Sequence, residues 1–375
     1  MSRRINFIDI ARGIGILLVV MGHNDLVALS PSMHKFIFSF HMPLFFFLSG
    51  YFLNSTTDFW TFVKKRYNGL LKPFFFAIFI IYFFSISFDK MNFANALTRI
   101  FKSMYGTGSY IEWIQLWFLP HLFVVSIYAY LFYKLVSPIN SRWIRWGILL
   151  FSLFIGTLYL KIFFPFHLTL LGESYELFGL PYSLDLVLLS GFFFILGKES
   201  RGLPVDGLYG NIIFLLVTGA ALVVMNIFLP PAVDLNNRVY DSFLVSTVEA
   251  VAGILFILAL SRQIDLHSMW LSNLLQYLGR VTLMILILHG PVQDFWGQKF
   301  MKVIGNLTLS YSLGFVMGVA VPILLFELFV RSNAVASFWL GREMELPRTK
   351  VQEADVQPAL QEALEDKTLS MTEQR

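Results

Sequence analysis

Hydrophobic residues in this chain gather into long, nearly unbroken runs, unlike the alternating pattern of strands or the single stripe of a surface helix. Ten such runs can be placed, at roughly 7–24, 37–53, 73–88, 115–135, 146–164, 180–197, 208–229, 243–261, 273–292 and 308–330. Their length, about 17–22 residues, matches the hydrocarbon thickness of a bilayer. The predicted fold is all-α, a polytopic membrane helical bundle of about ten transmembrane helices spanning 1–335. The first run is too long and glycine-rich for a signal peptide, and a retained helix is expected. The pattern stops at 341. From there to 375 the chain is polar, charged and free of aromatic residues, and reads as a disordered cytoplasmic tail.

Composition sharpens this picture. The 375 residues are 57% hydrophobic and only 14% charged, where a soluble domain carries roughly 25% charged residues. The absence of cysteine excludes disulfides, thiolate nucleophiles and Cys-ligated metals. The net charge of +4 comes from Lys and Arg flanking the runs, so the bilayer is the expected partner and nucleic acid is not.

Ten spans place both termini on one side. If that side is cytoplasmic, the inner loops and N-terminus hold twelve basic residues, Lys64, Lys65, Arg66, Arg142 and Arg145 among them, against eight outside. The bias fits the positive-inside rule. Loop 89–113 weakens it most and is a candidate for an amphipathic or re-entrant piece.

Polar residues inside the spans are the candidate chemistry, because charge in a membrane interior is expensive and marks functional sites. Arg12 and His23 lie eleven residues apart in FIDIARGIGILLVVMGHND. Eleven residues make almost three helical turns, so the two share a face about 16 Å apart. Asp9, three residues before Arg12, can pair with it. Gly15 and Gly22 on the same stripe admit either a ligand close to the backbone or a packed neighbouring helix. Six of seven histidines fall on the outer side. Of these, His23, His41, His121 and His289 lie within spans at similar depth and could converge on one polar pocket. Asp185 and Glu249 are the buried carboxylates placed to orient an imidazole. Arg280 joins Arg12 toward the inner side. Arginines thus lie inward and histidines outward. This gradient suits an anionic, phosphate-bearing donor held by Arg12, Arg280 and the loop containing Arg66, with its reacting end reaching His23. No metal-ligand spacing is present, and no metal is expected.

With these motifs the chain resembles the acyltransferase-3 family of integral membrane O-acyltransferases. The segments FIDIARGIGILLVVMGH, FSFHMPLFFFLSGYF, LWFLPHLF and LLQYLGRVTLMILILHGPV, with the basic stretch from Arg66 to LLKPFFF, are similar to its fucose 4-O-acetylase-like branch. The resemblance covers about 5–330. It implies transfer of an acyl group, usually acetyl from acetyl-CoA, to a hydroxyl of a sugar or glycan at the bacterial inner membrane. Arg12 and His23 match the family's essential arginine and histidine. No additional hydrolase-like domain, which some members carry, is present. On this reading His23 is the general base or a transient acyl carrier, and Arg12 anchors donor phosphate or polarises the carbonyl. Glu249 or Asp185 orients the imidazole, and His41, His121 and His289 bind the acceptor. The competing class is a transporter or flippase of a lipid-linked saccharide, which also needs polar residues in a bundle. Half-to-half symmetry would favour it, and the sequence shows none clearly.

Overall fold

The computed structural model describes residues 6–340 apart from 56, 88–90, 171–172, 202–205 and 230–231, and the predicted tail at 341–375 lies outside the described residues. The chain opens with α1 (Asn6–Gly22), the short α2 (Asp25–Ala28), α3 (Pro31–Phe38) and α4 (His41–Tyr51). Next, α5 (Phe59–Arg66) runs through a π-turn at Tyr67–Leu71 into α6 (Lys72–Ser87), followed by α7 (Phe93–Met104). A 3-10 turn at Ile114–Trp117 opens α8 (Phe118–Val136), and α9 (Arg142–Phe163) returns. The hairpin β1 (Phe166–Leu170) and β2 (Glu173–Leu177) leads through a 3-10 segment, Pro181–Leu186, to α10 (Val187–Ser200). Then come α11 (Asp206–Tyr209), α12 (Ile212–Phe228), a two-residue hairpin of β3 (Val233–Asp234) and β4 (Val239–Tyr240), and α13 (Phe243–His267). Last are α14 (Met269–Arg280), α15 (Thr282–Ile304), α16 (Leu307–Leu325) and α17 (Ala334–Trp339).

This is the helical membrane bundle expected, but helix lengths do not establish ten crossings. Six helices are long and apolar enough to cross a membrane, and α14 with α15 makes a seventh if that bent pair is one span. Three predicted spans fall short. α1 and α12 have 17 residues each, about 25 Å of helix. Run 37–53 is broken at Ser39–Phe40, where Phe40 leaves helical geometry (φ −140°, ψ −15°) and α4 restarts at His41. Run 273–292 is also not one helix. It bends by 81° at Val281, where the Thr282 hydroxyl donates to the carbonyls of Leu278 and Gly279. Both breaks lie inside predominantly apolar runs, where single polar neighbours (Ser39 and His41, Arg280 and Thr282) do not interrupt the hydropathy.

α1 sits in the middle of the bundle and packs on α14 at backbone contact. A Cβ at Gly13 would meet the carbonyl of Leu275, and one at Gly279 the carbonyl of Asp9. The stripe glycines of α1 are filled by neighbours: Gly15 faces the Phe45 ring and Gly22 faces Phe38. Of the two uses the sequence left open for that stripe, helix packing is the one seen. In loop 89–113, α7 exposes Phe93, Leu97, Phe101 and Met104. With spacings of four, four and three residues they form one apolar stripe, the pattern of a helix lying in a membrane interface.

Candidate active site

α1 ends at Gly22, and His23 follows as the chain turns toward α2. The His23 Nδ1 lies 2.9 Å from the Val19 carbonyl oxygen. A carbonyl can only accept, so Nδ1 carries the proton and Nε2 keeps its lone pair. The same device recurs twice. Nδ1 of His41 donates to the Ile37 carbonyl at 2.9 Å, and Nδ1 of His289 to those of Ile285 and Leu286 at 2.9 and 3.0 Å. Three rings are thereby fixed in the tautomer that offers Nε2 as an acceptor or base. His289 packs edge-on against His23 with centroids 5.3 Å apart, and its buried Nε2 has no hydrogen-bond partner among the described residues.

His23 and His41 line a cavity of about 180 Å³ together with His34, Trp117 and the turn Asp234–Asn237. The lining comes from the end of α1, the α3–α4 break, the turn before α8 and the β3–β4 hairpin. Those element ends therefore share one face of the bundle. Gln293 on α15 braces the site, its Nε2 donating to the His23 carbonyl at 2.9 Å.

Arg12 lies toward the other end of α1. Its guanidinium sits 4.7 Å over the Phe52 ring and 3.8 Å from the Asp9 carboxylate. Arg280 ends α14 and donates to Gln276 at 3.3 Å. Arg66, at the end of α5, lies 5.3 Å over the Phe62 ring.

The other expected site residues lie elsewhere. His121 is fully buried behind Trp117. Its Nδ1 donates to the Tyr182 carbonyl at 3.2 Å and its Nε2 is 2.9 Å from the Ser190 hydroxyl, so both nitrogens are engaged. Asp185 is occupied by Arg238, whose Nε donates to it at 2.9 Å, both side chains being fully buried. Glu249 accepts from the Asn226 amide at 3.2 Å. Among the described residues neither carboxylate is hydrogen-bonded to an imidazole. Residues the sequence argument did not single out are His34, Trp117, Asp234, Asn236, Asn237 and Gln293. For His34 the outward clustering of histidines was a usable signal. The hairpin and Gln293 carried none, because what brings them to His23 joins residues more than two hundred positions apart.

A basic residue on a central helix, and a tautomer-fixed histidine just past the end of that helix, thus lie within a helical membrane bundle. The chain belongs to the acyltransferase-3 family: the family's model, described as an acyltransferase domain, matches residues 5–327. No curated protein and no solved structure matches the chain. The protein is accordingly a membrane acyltransferase.

Proposed function

We propose that this protein is an O-acyltransferase of the bacterial inner membrane that moves an acetyl group from cytoplasmic acetyl-CoA to a hydroxyl of a sugar or glycan at the cell envelope. The observation that carries this reading is His23. Its Nε2 is held as a base by the Val19 carbonyl, beside a cavity, in helical register with Arg12. His23 Nε2 takes the proton of the acceptor hydroxyl as its oxygen attacks the thioester carbonyl. Collapse of the tetrahedral intermediate breaks the C–S bond. The departing thiolate recovers the proton from His23, leaving an ester and free CoA. General base catalysis of this kind is worth about 10²–10⁴-fold. Arg12, Arg280 and Arg66 are the groups for donor phosphates, on the side opposite the histidines. The separation of about 16 Å along α1 suits a donor whose charged head and reactive thioester lie at opposite ends of a long arm.

The test uses membranes containing wild type, His23→Ala or Arg12→Ala, supplied with acetyl-labelled acetyl-CoA. Base-labile label should appear on host glycans with the wild type and fall by at least about 100-fold in His23→Ala. Transfer that survives in His23→Ala removes this residue as the base. No transfer by the wild type, with glycan export altered in cells, turns the assignment to a transporter.

A further inference from the structure

α7 leaves four large apolar side chains, Phe93, Leu97, Phe101 and Met104, uncovered by the rest of the described chain. At 100° per residue they fall within about 80° of the helix circumference. Ala96 and Ser103 are buried and mark a second face, about 110° round from the first. Asn95, Thr98, Arg99 and Lys102 are exposed and form a third, roughly opposite the apolar one. The packed face thus lies between an apolar face and a polar one. Water wastes the apolar face, and hydrocarbon penalises the polar one. The boundary between acyl chains and headgroups suits both, with the protein at the side.

The connections of α7 place it at such a boundary. It starts where a span ends: α6 closes the apolar stretch Phe59–Ser87, and the Met91 N–H donates to the Ser85 carbonyl at 3.2 Å. Its far end meets α6 again, the Ser103 hydroxyl lying 2.9 Å from that of Tyr82. From Asn92 to Ser103 is about 16 Å of helix, so a helix running back beside α6 would put Ser103 some three turns below Ser85. Tyr82 is less than one turn below it. α7 therefore crosses the end of the span rather than lining it.

The cavity wall is built on this crossing helix. Past Met104, the Tyr105 and Thr107 hydroxyls donate to the Gly179 and Leu180 carbonyls at 3.0 and 2.7 Å. The Tyr182 N–H donates to the Tyr105 carbonyl at 2.9 Å. These bonds tie the exit of α7 to the segment whose Ser183 and Asp185 hold Arg238 of the β3–β4 hairpin. Glu112 then pairs with Arg99, on the polar face of α7, at 3.6 Å. Immediately afterwards Ile114 and Trp117 enter the cavity lining. That wall is thereby joined to the polar side of α7.

We propose that α7 is a bilayer-surface anchor. Its apolar stripe sits at the boundary of acyl chains and headgroups in one leaflet, and so holds the mouth of the His23 cavity at headgroup level. The anchor is independent of the reaction that the cavity performs.

The experiment uses the purified full chain in lipid nanodiscs, with an environment-sensitive fluorophore on single cysteines. The chain has no cysteine of its own. The stripe is probed by Leu97→Cys, Phe101→Cys and Met104→Cys, the polar face by Thr98→Cys and Lys102→Cys, and the cavity mouth by Ile114→Cys. All six positions are exposed, so the substitutions leave the packing intact. The quenchers are aqueous iodide and lipids brominated either near the headgroup or near the chain end. Stripe probes should show blue-shifted emission and stronger quenching by the shallow bromines than by the deep ones. Iodide should quench them at most about half as strongly as the probes at 98 and 102. Ile114→Cys should be quenched both by iodide and by the shallow bromines. Equal iodide quenching of stripe and polar-face probes overturns the anchor, and so does strongest quenching of the stripe by the deep bromines. An Ile114 probe quenched by iodide alone, or best by the deep bromines, overturns the placement of the cavity.

Discussion

His23 is useful because of what its neighbours do to it. The Val19 carbonyl chooses the tautomer, and the Gln293 amide holds the carbonyl at the other end of the same residue. Replacing Gln293 with Ala touches no residue that lines the cavity but removes this brace and the Asn24 amide's acceptor at 3.4 Å. The expected outcome is a fall in kcat of about tenfold with donor KM unchanged, read from initial rates, because small misplacements of a base are costly. Arg238 and Asp185 behave differently, since both are fully buried. Arg238→Ala strands a carboxylate, a loss of about 3–5 kcal/mol. The double variant Arg238→Met with Asp185→Asn should be milder than Arg238→Ala alone, and thermal unfolding in detergent compares them.

Elements place these residues through close crossings. α1 and α14 touch backbone to backbone at Gly13 and Gly279. Gly279→Ala forces the helices apart and should cost about 1–3 kcal/mol, as overpacking does. Gly147 on α9 has open space where its Cβ would be. Gly147→Ala should be neutral or slightly stabilising by helix propensity, and a lower unfolding temperature for Gly279→Ala alone is the predicted contrast. How far these elements could be read in the sequence follows from the range of the forces that make them. The register of Arg12 with His23 is local, fixed by helical geometry, and was legible. So were most span ends, because they are set by a polar-to-apolar change. The breaks at Phe40 and Val281 sit in long apolar runs with only single polar neighbours, where tertiary packing decides. Asp185 and Glu249 illustrate the same limit. Sequence gives their depth, but their partners Arg238 and Asn226 come from other elements.

At the scale of the whole molecule, the ends of elements sort onto two faces. His23, Trp117 and the β3–β4 hairpin meet at one cavity. The far ends of the same helices carry Arg12, and beyond α8 the chain turns back at Arg142. If the histidine face is external, Asn237→Cys should react with a membrane-impermeant maleimide in intact cells, and Arg142→Cys only after permeabilisation. The chain contains no cysteine, so each variant carries a single thiol. The reverse pattern of labelling would invert the orientation.

The hairpin also bears on how the cavity of such a protein changes over generations. Its stem is tied down by a buried ion pair whose members cannot be lost one at a time without stranding a charge. Its tip, by contrast, lines the cavity through Asp234, Leu235, Asn236 and Asn237. A fixed mount with a variable tip lets single substitutions reshape the cavity wall while His23 and its helix stay untouched. The shape of the cavity wall should therefore drift faster than the helix that carries His23.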